Sequence, residues 1–313
     1  MHAPRSSPSV RLRSATAAVA ILLTVGAWAS AFPLIRIGLS GLEPLQLASA
    51  RFALAAAIVL TWLLVSRPKL PSLRDAGRFL ASGAAGITPY NALLNSGQQT
   101  VSAGAASFLI NTSPILTAVL AALFLRERYG LWGWMGSGLA FLGAAVIAAG
   151  QAGGLRLGAG ASLVVGAALC QATYFTLQRP LVPRYGALAC TAYTILAGAL
   201  LLSPWISGAA ARLITAGPAN VTLWAVVALA ILPSAIGYAA WTYALDCYGA
   251  SRAANFLYLV PPATMLIAFA LTREVPTPTT VFGGALAITG VALVNLRRKL
   301  EPVVAQPARR AAT

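Results

Sequence analysis

The chain alternates between long apolar stretches and short polar breaks along most of its length. An α-helix needs roughly 20 apolar residues to cross a hydrocarbon core about 30 Å thick. Ten stretches approach that length, at 15–36, 45–66, 79–98, 104–125, 131–150, 159–179, 188–206, 222–244, 254–272 and 278–296. The pattern therefore predicts an all-α integral membrane protein with ten transmembrane helices.

The sequence also contains two related halves, offset by about 148 residues. AGAASFLINTSP at 103–114 aligns with SRAANFLYLVPP at 251–262, and Arg126-Glu127 aligns with Arg273-Glu274. Because each half carries an odd number of spans, the second copy inserts in the opposite orientation, which is the usual plan of secondary transporters. The predicted segments are a cytoplasmic arm at 1–14, a first five-helix repeat at 15–150, a second, inverted repeat at 151–296, and a basic cytoplasmic tail at 297–313.

The positive charges predict how these spans are oriented. If the N-terminus is inside, 17 of the 22 Lys and Arg residues lie on the cytoplasmic side and four lie on the other side. Short cytoplasmic loops of membrane proteins carry such an excess. Both termini are therefore expected in the cytoplasm.

Composition supports a membrane protein and excludes several other classes. Hydrophobic residues make up 58% of the chain, charged residues only 9%, and mean hydropathy is +0.78, which leaves too little charge for a soluble surface. The net charge of +16 is spread over short loops, so no nucleic-acid surface is predicted. The three cysteines have no metal or disulfide spacing and the one histidine is His2. We therefore expect no enzyme, no metal and no cofactor.

Several short motifs carry a family likeness. They are Trp28 with Ser30-Ala31-Phe32 in the first span, Pro44 and Arg51-Phe52 in the second, and a duplicated A-[SN]-F-L followed by Pro and then [LT]-R-E. In this order and spacing the chain resembles the EamA-type members of the drug/metabolite transporter superfamily. The resemblance implies two inverted five-helix repeats in the cytoplasmic membrane, in a protein that moves small metabolites, often amino acids or their derivatives and often outward. The Arg-, Ala- and Gly-rich composition suggests a bacterial source.

Polar and aromatic side chains inside the apolar spans mark a candidate transport pathway, because polar groups are unfavourable on helix surfaces that face lipid. Asn91, Asn95 and Gln98 form one stripe of the third span, at i, i+4 and i+7. Interhelical hydrogen bonding is the alternative role for such a stripe. The full set of pathway candidates is Trp28, Tyr90, Asn91, Asn95, Gln98, Asn111, Gln171, Tyr174, Gln178, Tyr238, Trp241, Asn255 and Tyr258.

Prolines at corresponding places of the two repeats predict hinges. Pro114 in the fourth span, and Pro261 and Pro262 in the ninth, each remove a backbone donor from an apolar helix. Paired kinks of this kind suit alternating access around a central site, and a static kink that only shapes packing is the alternative.

Arg51 is the one ionisable residue well inside a span. We expect it to extend toward the outer boundary and pair with Glu43, with a contact to an acidic group of the transported molecule as the alternative. No Asp, Glu or His lies at the predicted bilayer midplane. We therefore expect gradient-driven facilitation or exchange as readily as proton antiport.

The function that the sequence supports is secondary transport of a small neutral or zwitterionic metabolite, such as an amino acid, in the outward direction. Transport of phosphorylated sugars or nucleotide-sugars is disfavoured, because a dianionic phosphate calls for several deep cations. A non-transporting membrane sensor or scaffold is a further alternative. The expected partners are a small-molecule substrate and the lipid bilayer. Small-residue faces around Gly136 and Gly283 predict close helix contacts, either within the fold or in a homodimer.

Overall fold

The computed structural model describes residues 8–113, 115–116, 120, 131–150, 159–178, 180–248 and 257–298. Every regular element within these ranges is helical, which confirms the predicted all-α class. The helices of the first half are α1 (Pro8–Gly38), α2 (Pro44–Ser66), α3 (Leu73–Gly86), α4 (Thr88–Gly97), α5 (Ala103–Ile110) and α6 (Leu131–Ala149). Those of the second half are α7 (Ala159–Gln178), α8 (Val182–Tyr185), α9 (Ala187–Leu202), α10 (Ile206–Ala216), α11 (Val221–Leu229), α12 (Gly237–Tyr248), α13 (Val260–Thr272) and α14 (Pro278–Arg298).

Five helical stretches are long and apolar enough to cross a membrane: Thr16–Gly38, Pro44–Ser66, Ala159–Gln178, Ala187–Ala216 and Val221–Trp241. Two shorter apolar helices, Trp134–Ile147 and Val260–Thr272, accompany them. The protein is therefore a multi-pass membrane protein. The count of ten spans and the orientation of the termini stay predictions.

Short polar residues fix where several helices begin. The side chain of Ser72 accepts a hydrogen bond from the backbone of Asp75 at the start of α3, and Ser102 does the same for Ala105 in α5. The Asn220 side chain accepts from the Thr222 backbone N–H at 2.7 Å. Each cap satisfies a donor that the first turn of a helix leaves without an intrahelical partner.

The third predicted span is not one continuous helix. It begins earlier than predicted, at Leu73, and is divided at Ile87 into α3 and α4. The physical reason is Pro89, which lacks an N–H and so cannot continue the hydrogen-bond ladder of α3. The prediction of an unbroken helix over 79–98 is therefore wrong.

The fourth and ninth predicted spans are interrupted at corresponding positions of the two repeats. The α-helix of the first half ends at Ile110, and a turn follows at 111–112. In the second half a 3₁₀ turn at Leu257–Leu259 precedes α13. Pro261 and Pro262 lie in the first turn of α13 and not in the interior of a helix, so their missing N–H groups break no ladder bond of that helix. Pro114 is outside the described residues.

Each half of the chain surrounds the first helix of the other half. Helix α1 packs against α11, α12 and α13, whereas α7 packs against α3, α4 and α5. The last helices of the halves, α6 and α14, pack along each other. A Cβ atom at Gly143 would lie 2.5 Å from the Ala287 nitrogen, and one at Gly290 would lie 2.5 Å from the Gly136 oxygen. The predicted small-residue faces are thus in contact within the fold.

Two ion pairs connect the halves on the predicted outer side. Arg36 Nε lies 2.7 Å from Glu274 Oε1, and Arg212 Nη2 lies 2.5 Å from Glu43 Oε1. Glu274 also accepts a hydrogen bond from the Ala103 backbone N–H at 2.9 Å, which caps α5.

A third connection lies on the predicted cytoplasmic side, in a cleft of about 510 Å³ bordered by Lys69, Leu70, Ser72, Asp75, Arg184 and Tyr185. The Tyr185 hydroxyl donates to Asp75 Oδ2 at 2.9 Å, and Arg184 Nη1 donates to the same oxygen at 3.2 Å. The Tyr185 hydrogen bond is the first cause that holds the pKa of Asp75 below its ordinary value. Asp75 lies before the predicted span, so this contact is at the membrane surface.

Asp75 should make stability depend on acid pH. A carboxyl whose folded pKa is depressed contributes stability above its unfolded pKa of about 3.9, and loses it as the pH falls through the folded pKa. We expect Asp75→Asn to lower the melting temperature of the purified protein near neutral pH, and the difference from wild type to shrink below about pH 4. Thermal unfolding across this range would test it, with the exposed Glu43→Gln as control. A difference that stays constant down to about pH 3 would contradict the assignment.

Candidate functional site

Arg51 on α2 is buried between the two halves of the protein. The residue is only 8% exposed to solvent. The Nε atom donates to the Ser234 hydroxyl of the second half at 3.1 Å, and Nη1 approaches Asn91 Oδ1 at 3.5 Å. The prediction that Arg51 extends outward to Glu43 is wrong. Glu43 pairs with Arg212, and hydrogen bonds to Ser234 and Asn91 hold the Arg51 guanidinium in the interior.

The partner of Arg51 is presented by an irregular stretch of backbone. Residues Ala230–Ile236 form a π-helical segment between α11 and α12, with Pro233 inside it. Pro233 has no N–H, and the Ser234 hydroxyl donates to the Leu229 carbonyl at 3.0 Å. Widened turns of this kind often accompany functional sites. Here the widened turn aims a serine hydroxyl at a buried cation.

An aromatic cluster adjoins this turn. The Trp28 indole N–H donates to the Pro233 carbonyl at 3.3 Å. The Trp28 ring lies 5.6 Å from the Tyr238 ring in an edge-to-face arrangement and 5.4 Å from the Trp241 ring. A Cβ at Gly237 would lie 2.7 Å from Trp28 Nε1, so the glycine allows the indole to approach α12 closely. All three aromatic residues were pathway candidates, and the structure brings them together.

Tyr90 and Asn91 complete the arrangement from α4. Tyr90 and Tyr238 both interact electrostatically with the Arg51 guanidinium. The Asn91 amide donates to the Ile87 carbonyl at 2.7 Å, so its oxygen is turned toward Arg51. We call the group Trp28, Arg51, Tyr90, Asn91, Ser234, Tyr238 and Trp241 the central site.

The rest of the third-span stripe makes interhelical hydrogen bonds. Asn95 Nδ2 donates to the Pro44 carbonyl at 2.9 Å, and Gln98 Nε2 donates to the Phe32 carbonyl at 3.0 Å. Both residues are almost fully buried. Their contacts favour the alternative role, in which these amides join α4 to α2 and α1.

The remaining candidates are distributed around the bundle. The buried Tyr174 on α7 interacts through its hydroxyl with Gln178. A Cβ at Gly86 would lie 2.5 Å from the Tyr174 ring, so Tyr174 packs against the end of α3. Gln171 on the same helix has a buried side-chain oxygen without a partner among the described residues. Asn111 donates to the Ser107 carbonyl of its own helix at 2.9 Å. Asn255 and the side chain of Tyr258 are outside the described residues.

Sequence reasoning missed Ser234 and gave Arg51 a different first role. Ser234 was not a candidate, although its place after a proline inside an apolar span was a readable signal. Arg51 was expected to extend toward the outer boundary, with a contact to the transported molecule as the alternative. The described residues hold no group of three or more His, Cys, Asp or Glu side chains that could bind a metal ion.

Comparison with known proteins identifies the family. The EamA-like transporter family matches the chain twice, over residues 15–149 and again over 158–296. The chain belongs to this family. The two matches agree with the duplication seen in the sequence, and the predicted EamA resemblance is confirmed.

Relatives of this EamA-like protein are named as transporters. It is 40% identical to a probable terminal-alkyne amino-acid exporter of Streptantibioticus cattleyicolor, over 89% of this chain and 93% of the relative. It is 34% identical to the transporter YdfC of Bacillus subtilis, over 88% of this chain and 89% of that one. It is 27% identical to the inner membrane transporter YedA of Escherichia coli K12, over 89% of this chain and 91% of that one.

One solved structure shares the fold of this EamA-like transporter. It is a crystal structure with a TM-score of 0.62 and 20% sequence identity, which covers 92% of this chain and 99% of the other. The family and its relatives make this protein a membrane transporter.

Proposed function

We propose that this EamA-like protein exports small amino-acid-like metabolites across the cytoplasmic membrane, by alternating access around the central site. The observation that carries the proposal is that the central site is built from both halves. Arg51 and Asn91 come from the first half, and Ser234 and Tyr238 come from the second. A relative movement of the halves would therefore open or close contacts at the point where a substrate binds.

The interruptions in the fourth and ninth predicted spans support a relative movement of the two halves. The break after Ile110 and the 3₁₀ turn at Leu257–Leu259 occupy corresponding positions of the two repeats. Backbone that leaves the α-helical ladder changes its dihedral angles at lower cost than an intact helix. We assign the hinge role to these breaks and to the adjoining Pro114, Pro261 and Pro262.

Charge and relatives support the proposed direction and cargo class. The positive-inside distribution favours cytoplasmic termini. A relative over most of the chain carries the name of an amino-acid exporter, which favours an amino-acid-like cargo and outward transport. A single buried cation in the described residues suits a substrate with one negative group better than a phosphate dianion.

Paired tyrosine variants on α12 test the proposal. Tyr238 belongs to the central site, whereas the exposed Tyr243 hydroxyl contacts Thr16 at 3.0 Å. Each Tyr→Phe change removes one hydroxyl from the same helix. In cells that overproduce the protein, we expect Tyr238→Phe to slow the release of an exported metabolite roughly tenfold, the effect of about 1.4 kcal/mol, and Tyr243→Phe to leave it unchanged.

Metabolite profiles of cells and medium provide the measurement, at equal amounts of protein in the membrane. A compound that leaves the cell faster only with intact Tyr238 would support export and identify the cargo class. Equal profiles for wild type, Tyr238→Phe and cells without the protein would count against export.

A further inference from the structure

We propose that the central site selects a monocarboxylate with an apolar body, and recognises it without a contact to an ammonium group. This inference rests on the proposed function and specifies the substrate class of the same site. It narrows the neutral or zwitterionic cargo expected from the sequence to compounds whose carboxylate is the essential feature.

The charge of Arg51 is the first argument. A buried cation is costly unless it is paired and hydrogen-bonded. Among the described residues, the hydrogen bonds of Arg51 use Nε and Nη1, and both acceptors, Ser234 and Asn91, are neutral. The guanidinium carries five donors in a planar fork that matches a carboxylate. A substrate carboxylate would supply the negative charge that these protein contacts do not.

The hydroxyl groups around Arg51 are the second argument. Ser234 gives its one proton to the Leu229 carbonyl and accepts from Arg51 Nε, so it positions the guanidinium and does not donate to a ligand. The Tyr90 hydroxyl on α4 is close enough to interact with the Arg51 charge, and it can donate a hydrogen bond to an anion held there. A fixed cation with a hydroxyl donor beside it orients a small ligand.

The aromatic cluster is the third argument, because it offers a contact surface for the apolar body of the substrate. The Trp28 ring lies 5.4 Å from the Trp241 ring and 5.6 Å from the Tyr238 ring. The Trp28 indole N–H donates to the carbonyl of Pro233, the residue before the Ser234 that binds Arg51. Pockets that pair one charged group with aromatic walls bind amphipathic ligands in one orientation. The carboxylate therefore lies at Arg51 and the apolar part lies toward the tryptophans.

The described acidic side chains are engaged elsewhere. Glu43 pairs with Arg212, Glu274 pairs with Arg36, and Asp75 pairs with Arg184 in the cytoplasmic cleft. None of these three carboxylates is a partner of the central site. Among the residues that the structure describes, an α-ammonium group would meet only neutral acceptors there, so we expect it to contribute little to recognition.

A series of four phenylalanine compounds separates the two charges. N-acetyl-L-phenylalanine carries only the carboxylate, L-phenylalanine carries both charges, L-phenylalaninamide carries only the ammonium, and N-acetyl-L-phenylalaninamide carries neither. Binding would be measured with the purified protein in detergent, by tryptophan fluorescence and by thermal shift. We expect the two carboxylates to bind and the two amides to bind at least tenfold more weakly, with the acetylated acid at least as tight as the free amino acid.

Variants tie the selectivity to Arg51. Arg51→Gln should remove the preference for carboxylates, Arg51→Lys should retain part of it because the charge remains without the fork, and Arg212→Gln should leave it intact. Amides that bind as well as the acids, Arg51→Gln with unchanged affinities, or no binding of any of the four compounds would overturn the inference. The proposed export would survive each of these results if release still depends on Tyr238 and not on Tyr243.

Discussion

Replacing Arg51 by methionine is expected to abolish transport without lowering thermal stability. Loss of one partner from a desolvated charged contact costs roughly 2–5 kcal/mol, so export should fall by about 30-fold or more. Stability should hold or rise, because the cation is buried against neutral groups and a flexible apolar side chain fills similar space. If Arg51 served only in packing, the variant would lose thermal stability and keep its transport activity.

Transport and melting temperature must be measured on the same preparations. Arg212→Met, which removes an exposed arginine paired with Glu43, provides the control for loss of one positive charge. If Arg51→Met melts several degrees below wild type, the guanidinium is part of the structure and its binding role fails.

A methyl group at Gly143 should strongly destabilise the protein. The added Cβ would lie 2.5 Å from the backbone of Gly283 and of Ala287, and backbone atoms cannot turn aside as a side chain does. Overpacking of this kind typically costs 1–3 kcal/mol, occasionally more. We expect Gly143→Ala to lower the melting temperature by several degrees and to reduce the yield of folded protein.

Gly138 on the same helix supplies the matched control. A Cβ there would meet nothing within 4 Å, so Gly138→Ala should be neutral or slightly stabilising. Fluorescence-detected size exclusion at increasing temperature would compare the two variants. Equal melting of Gly143→Ala and Gly138→Ala would show that α6 and α14 are not closely packed in the membrane.

The sequence predicted the all-α membrane class and the duplication well, because membrane folds obey few rules. Long apolar stretches, an internal duplication and small-residue faces are each readable without coordinates. The close contact of the glycine faces of α6 and α14 followed from their spacing, but the choice between a contact within the fold and a dimer did not. That choice depends on which helices the tertiary structure brings together.

The site was harder to predict, because its polar centre depends on one local backbone distortion. Pro233 and Ser234 lie in an apolar span that reads as an ordinary helix, and only the π-helical turn brings the serine to Arg51. Without that partner, extension of Arg51 to Glu43 was the reasonable expectation. Asn95 and Gln98 were predicted to line the pathway, but they make interhelical hydrogen bonds. An interior polar stripe also forms when amides bind backbone carbonyls of neighbouring helices.

The pairing of α6 with α14 also sets the order of events during biosynthesis. The ribosome completes Ala149 well before it reaches Pro278, where the partner helix begins. At 5–20 residues per second, α6 stays in the membrane without α14 on the order of ten seconds. During this interval its glycine groove faces lipid or the insertion machinery. The contact between α6 and α14 therefore forms only as the nascent chain nears completion, after α7 is available to pack against α3, α4 and α5.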